Sequence, residues 1–297
     1  MIETSNPNLL YGLVLGIVIY ACILFYRKLH PGKKEFFSQQ SSFILRQNNE
    51  KYDPFYLDYY DELYKTNDYS TYDYDYIMSH TAPTRQSVFL DIGCGTGQLM
   101  KMLEQNGYTA FGVDKSRYMV EQCQEELKDC EVYCEDVLRD PMLHENNTFS
   151  HITCTHFTIY EMENKATFFN HCYSWLKCGG YLIVHIVDPD KYKKTVPSVE
   201  NNDSTVTNTS MDFEHYKYKN TYKSNDEVSI LTETFTDKYT EHVRQNEMKL
   251  FMEPKTKIIE TALKCGFVTY HETSYNGDIE DPHQYLVTFL KPLCGDN

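Results

Sequence analysis

The chain has 297 residues, enough for one large domain with an appendage and a sizeable core. Its 43 Asp and Glu outnumber 28 Lys and Arg, for a formal charge of -15, which argues against a nucleic-acid partner because phosphates need a basic face. The ten cysteines form no Cys-x-x-Cys pair and join no histidine at zinc spacing, so no metal is expected and the thiols read as reduced, as in a cytosolic compartment.

Leu9–Tyr26, LLYGLVLGIVIYACILFY, runs for eighteen positions without a charge. At about 1.5 Å per residue this is roughly 27 Å of helix, enough to cross the hydrocarbon core of a bilayer. Arg27, Lys28, Lys33 and Lys34 follow it, whereas Glu3 is the charged side chain before it, so the positive-inside rule places the rest of the chain on the cytoplasmic side. A basic leading region and a small-residue cleavage site, which a signal peptide would show, are missing, and so is the polar face of a core helix. Residues 1–30 are therefore expected to be a single-pass membrane anchor, with Gly12 and Gly16 as a GxxxG face for weak self-association. Residues 31–54, rich in Ser, Gln and Asn, read as a flexible polar tether.

From Val88 short apolar runs alternate with helical stretches: VFLDI, QLMKMLEQN, TAFGVD, SRYMVEQCQEELK, EVYC, SHITCT, a helix from about Asn164 to Leu176, and YLIVHIV. That rhythm predicts an α/β fold with a parallel sheet covered on both faces. A helix near Lys255–Lys264 precedes GFVTYHET and QYLVTFL, whose short connection predicts an antiparallel hairpin. Between them, residues 190–253 carry strand-like alternation and are expected to form a β-rich insertion above the carboxyl ends of the strands, with NNDSTVTNTS as a mobile portion.

The stretch LDIGCGTGQL joins the first of these strands to the first helix through Gly93, Gly95 and Gly97. Its spacing is GxGxG; a dinucleotide fingerprint would be GxGxxG, and position 98 is Gln. Asp91 either holds the turn in shape or meets a positively charged ligand group, and it does not suit an anionic pyrophosphate. A nucleotide-linked dehydrogenase is disfavoured on both grounds.

VFLDIGCGTGQL resembles the first motif of class I S-adenosylmethionine-dependent methyltransferases of the small-molecule, type 11-like kind, and FGVDKSRYM and CEDVL resemble the next two. The resemblance spans about residues 55 to 292. It implies a Rossmann-like seven-stranded methyltransferase sheet, mostly parallel with a C-terminal antiparallel hairpin, in a domain covering 55–297, and S-adenosyl-L-methionine as cofactor. It also implies that Asp114 binds the two ribose hydroxyls, Met119 packs near the adenine, Asp136 faces the adenine amino group and Val137 its ring. Asp91, Gly93, Cys94, Gly95, Gly97, Lys115 and Thr155 complete the implied cofactor site. FYLDYYDELYKTNDY resembles the helix that small-molecule members fold across the cofactor, with Tyr60-Asp61 as its marker pair and Tyr64 a turn further on. The chain departs from the pattern at Ser150-His151, where the fourth strand of the family often begins with Asp.

Methyl transfer from a sulfonium is an in-line displacement with an already activated donor, so the protein must align the partners, exclude water and take up a proton where the acceptor requires it. Candidates for that last task are His156, Tyr160 and Glu161 after the fourth strand, and His185 and Asp188 on the fifth. The sequence THFT stands where DNA amino-methylating enzymes carry Asn/Asp-Pro-Pro-aromatic, and no Pro-Cys nucleophile pair is present. The expected acceptor is a small molecule, a lipid near the anchor or a protein side chain; a non-catalytic cofactor-binding scaffold is the alternative.

Overall fold

Phe43–Gln47 is the first strand, β1, of the computed structural model, which describes residues 42–189, 207–223, 228–275 and 281–295. A 3-10 turn (Asn48–Lys51) leads to α1 (Pro54–Tyr64) and α2 (Thr66–Thr81). Pro54 suits the first turn of α1, where its missing N–H is not needed, and the Asp53 carboxylate caps the helix by accepting from the Tyr56 amide at 3.1 Å. The tether expected over 31–54 therefore gives way at Phe43, because β1 finds a strand edge to pair with. The anchor expected at Leu9–Tyr26 lies outside the described residues; among those described, no helix is long and apolar enough to cross a membrane.

The main sheet uses β2 (Val88–Ile92), β3 (Thr109–Asp114), β4 (Glu131–Cys134), β5 (Phe149–Cys154) and β6 (Leu176–Val187), separated where they cross over by α3 (Gln98–Gln105), α4 (Arg117–Glu126) and α5 (Lys165–Trp175). Their spatial order is β4-β3-β2-β5-β6, all parallel. The chain winds one way from β2 and then returns to β2's other side with β5, which makes the gap beyond these strands a topological switch point. Leu90 and Ile152 are fully buried on one face and Phe89 on the other, which is why these strands read as continuous apolar runs. Ser150 and His151 serve the sheet: the Ser150 hydroxyl accepts from the Val88 amide at 2.9 Å, and the His151 ring stacks on Phe89.

Four further strands, β7 (Thr207–Asp212), β8 (Tyr216–Lys223), β9 (Ser229–Asp237) and β10 (Val243–Leu250), form an antiparallel meander, with β1 added parallel to β10. Strict alternation along β9 buries Ser229, Leu231, Glu233 and Phe235 on the inner face. Phe55 and Tyr59 of α1 pack on that face against Tyr216 and Phe235. In the stretch expected to be mobile, Thr207–Ser210 is already part of β7, and residues 201–206 lie outside the described residues.

After α6 (Lys255–Lys264), β11 (Val268–Tyr275) and β12 (Asp281–Leu290) close the main sheet at seven strands, β12 running antiparallel to both β11 and β6. This pairing corrects the expectation of uniformly reduced thiols. It brings the residues after β12 beside the start of β6, and Cys178 and Cys294 are joined there as a disulfide, with Cα atoms 5.5 Å apart. Seven other described cysteines are free thiols.

Candidate functional site

The carboxyl ends of β2, β3, β4 and β5 open into one cavity, roofed by α1 and the inner face of the meander. Gly93, Gly95 and Gly97 hold φ values of +70°, +53° and +82°, the left-handed region that glycine enters without strain. A Cβ on Gly97 would strike the Cys123 sulfur of α4, so this glycine lets α3 and α4 approach and does not reach the cavity. A Cβ on Gly95 would meet only the Tyr60 ring, at 3.9 Å, which leaves its backbone bare towards the cavity. Asp61 ties the roof to this turn, its Oδ1 accepting from the Thr96 and Thr66 hydroxyls at 2.8 and 2.6 Å.

Asp114 ends β3. Its carboxylate accepts from the Gly95 amide (3.1 Å) and the Ser116 amide (2.7 Å) and lines the cavity. Burial pushes it up to about 6, against the lowering effect of the Ser116 and Gly95 amides. Lys115 pairs with Glu161 at 2.7 Å, and the Tyr52 hydroxyl donates to the same carboxylate at 2.9 Å. Burial works to raise Glu161, but Lys115, Lys51 and the Tyr52 hydroxyl outweigh it and hold the carboxyl below its ordinary value. Met119, Asp136, Val137, Tyr60 and His156 also face this cavity. Asp91, Cys94 and Thr155 instead line a smaller recess that shares Tyr60, Gly93, Gly95 and His156 with it. Asp91 accepts from the Thr153 hydroxyl at 2.7 Å, and burial lifts it to about 6.

Of the five residues put forward for proton transfer, His156 and Glu161 reach the cavity, and Glu161 is already paired with Lys115. The Tyr160 hydroxyl is held in the core, accepting from the Val187 amide at 2.8 Å and donating to the Val187 carbonyl at 3.2 Å. His185 is buried, its Nδ1 accepts from the Phe157 amide at 3.4 Å, and burial pushes it down to about 3. Both fix the loop after β5, and neither lines the cavity. Asp188 also stays outside it, its amide donating to the His283 carbonyl at 3.0 Å.

The sequence placed a helix and a β-rich insertion over the strand ends but did not show which of their side chains face the cavity. Lys51, Tyr52 and Tyr64 face the cavity from below β1, and Leu231, Met248 and Leu250 from the meander, joined by Met162 and Met252. Their signal was the alternation along β9 and β10, which separates an inner from an outer face without saying what the inner face covers.

Residues 89–180 match the family model of a methyltransferase domain. An uncharacterized methyltransferase of Alkaliphilus oremlandii (strain OhILAs) is 27% identical over 113 residues, 37% of this chain and 51% of that protein, so the chain spans about half the length of this curated relative. Among solved structures, an S-adenosylmethionine-dependent methyltransferase from Clostridium acetobutylicum ATCC 824 is similar at TM-score 0.60 and 17% identity, covering 75% of this chain and 90% of that one. An amino pentose methyltransferase of calicheamicin biosynthesis from Micromonospora echinaspora, solved with S-adenosylmethionine bound, gives 0.59 and 14%, covering 76% and 91%. A sugar N-methyltransferase from Streptoalloteichus sp. ATCC 53650 gives 0.57 and 16%, covering 75% and 86%. At these identities the likeness to the solved structures is one of fold.

Proposed function

We propose that this chain, built around a methyltransferase domain that uses S-adenosylmethionine, methylates a small and largely apolar acceptor bearing an ionisable nucleophile. The observation that carries this reading is a single cavity with two unlike ends: strand-end acids on one side and the apolar side chains Leu231, Met248, Leu250, Met162 and Met252 on the other.

The first end fits the cofactor. Asp114, Glu135, Asp136 and Glu161 stand in the lining, while Lys51 and Lys115, the lysines there, are already paired with Glu233 and Glu161. Such a balance repels a pyrophosphate and favours a cationic ligand. When bound, the cofactor supplies a methyl group activated by the positive charge on sulfur. Asp114 would accept both ribose hydroxyls, Asp136 the adenine amino group, and Val137 and Met119 would pack against the ring. Gly95 allows the close approach, and the recess at Asp91 and Thr155 would take the methionine end. The roof excludes water, and His156 is placed to take a proton.

The second end fits the acceptor. Unbranched thioether side chains adapt to irregular apolar shapes, which suits a small acceptor. Two neighbours in fold act on an amino pentose and a sugar, which supports a small acceptor. The test is to incubate the full chain with methyl-labelled S-adenosylmethionine and a cell extract. Label is expected in the low-mass fraction; label in protein alone, or no calorimetric binding of S-adenosylhomocysteine, would sink the reading.

An anchor at Leu9–Tyr26 would hold this site at the cytoplasmic face of a membrane, where apolar acceptors concentrate; the uncharged span and its trailing bases support this. Deleting residues 1–28 is expected to move the protein from the membrane pellet to the soluble fraction. Retention in the pellet would overturn the anchor.

A further inference from the structure

We infer that Asp73 of α2 is the positioning residue for His156, fixing the tautomer in which His156 takes the acceptor's proton at Nδ1; this rests on the methyl-transfer reading.

Asp73 is fully buried. Its Oδ1 accepts from the Tyr275 hydroxyl at 2.6 Å, whereas its Oδ2 makes no hydrogen bond and lies 3.7 Å from Nε2 of His156. A buried carboxylate oxygen without a hydrogen bond is rare enough to call for a reason. The backbone concentrates strain at the same place: His156 and Phe157 have φ of +51° and +68°, the left-handed region that non-glycine residues seldom enter. Hydrogen bonds hold this kink on both sides, from the Thr158 amide to the Thr155 carbonyl and from the Phe157 amide to His185. The His156 ring at this kink lines the cavity.

Both partners of the ring stand on one nitrogen. Ser70 Oγ lies 3.3 Å from Nε2, beside the Asp73 carboxylate. With Asp73 ionised, a hydrogen on Nε2 faces both, and Nδ1 is then the nitrogen with a free lone pair. Burial pushes His156 down to about 4, so at neutral pH it is an unprotonated base. Burial also lifts Asp73 to about 7, against the Tyr275 and Thr155 hydroxyls, which lower it. The other titratable groups facing the pair are Tyr69 on α2, Asp91 on β2, His185 on β6 and Tyr275 on β11. As the acceptor's electron pair forms the new bond to the methyl carbon, its O–H or N–H bond breaks and the proton passes to Nδ1; the pair of the old carbon–sulfur bond stays on sulfur. The imidazolium so formed has the Asp73 carboxylate as its counter-charge, the arrangement in which a buried acid orients a base without itself touching substrate.

The test is the 15N spectrum of histidine-labelled full chain with S-adenosylhomocysteine. The unmodified chain is expected to show His156 protonated on Nε2 and bare on Nδ1. Asp73→Asn, whose amide can donate to Nε2, is expected to move the hydrogen to Nδ1 and slow labelling of the low-mass fraction about 100-fold, while S-adenosylhomocysteine affinity stays within threefold. A His156 protonated on Nδ1 in the unmodified chain would overturn the inference, even if the variant fails to fold. So would an unchanged tautomer in a variant that still binds S-adenosylhomocysteine. Failure of the unmodified chain to bind S-adenosylhomocysteine would overturn the methyl-transfer reading and this inference with it.

Discussion

Asp114→Ala is expected to weaken binding of S-adenosylhomocysteine about 100-fold, roughly 2.7 kcal/mol, as read by calorimetry. Each hydrogen bond from a ribose hydroxyl to an ionised carboxylate is worth about 1.5–3 kcal/mol, and one carboxylate at the end of β3 is placed to accept two. The same side chain also holds the Gly95 and Ser116 amides, so its loss loosens the turn that the ligand must approach. Its pH dependence separates these roles. The folded carboxyl is lifted to about 6 by burial, so in the ligand-free chain it takes up a proton as pH falls through 6. Affinity in the unmodified chain should therefore decline below about pH 6, and Asp114→Asn should bind weakly without that step. The stability linkage has the opposite sign: a folded value raised above the unfolded one gives a contribution complete below about pH 4 and lost as pH rises through about 6. Asp91, lifted to about 6, and Asp73, lifted to about 7, act in the same direction. Weakened ligand binding together with undiminished folding stability at pH 5 is thus the expected signature. An alanine variant that binds within threefold of the unmodified chain would remove Asp114 from the site.

The residues that could be read from sequence are those whose task is local. Gly93, Gly95 and Asp114 announce themselves because a strand running into a turn fixes both their backbone and their direction, and Asp136 and Val137 share that logic at the end of β4. Tyr160 and His185 misled because chemistry-bearing residues near strand ends are read as facing the cavity, while their direction depends on the register of the loop after β5 against β6. Asp73 was hidden among similar residues: α2 also carries Asp68 and Asp75, both exposed. A signal existed, since Thr66, Tyr69, Ser70, Asp73, Tyr76 and Ile77 follow the spacing of one helix face, and an acid on an otherwise buried face needs a partner. The roof was legible as a helix and a β-rich insertion over the strand ends, but not in the side chains it presents to the cavity. Its contacts join residues as far apart as Lys51 and Glu233, separated by 182 positions, and no pattern within a window reports them.

That distant pair sets the second large effect. Glu233→Leu is expected to destabilise the fold by about 3–5 kcal/mol, the range for removing one partner of a buried ion pair. The side chains of Lys51 and Glu233 are 3% and 1% exposed, with Nζ and Oε2 3.2 Å apart. The hydroxyls of Tyr56, Tyr64 and Tyr218 donate to Glu233 at 2.7, 3.0 and 2.9 Å, so the carboxylate is the common acceptor of two tyrosines of α1 and one of β8. Lys51 has fewer partners: apart from Glu233 and the Tyr56 hydroxyl it rests on the rings of Tyr52 and Tyr56, each centroid 4.9 Å away, and of Tyr64 at 5.8 Å, with Glu161 the further carboxylate it acts on. Removing the carboxylate leaves a buried cation among aromatic rings at the cavity wall, whereas removing the cation leaves an anion with three donors. Lys51→Met should therefore cost less than Glu233→Leu, and the double variant should be more stable than Glu233→Leu alone, because an apolar pair needs no counter-charge. Urea unfolding midpoints of the four chains measure this cycle. Additive losses would mean that the two residues act independently. The result matters for the site because Lys51 and Tyr64 both face the cavity, so the ion pair that holds α1, the turn before it and β9 together also fixes the roof under which the acceptor must lie.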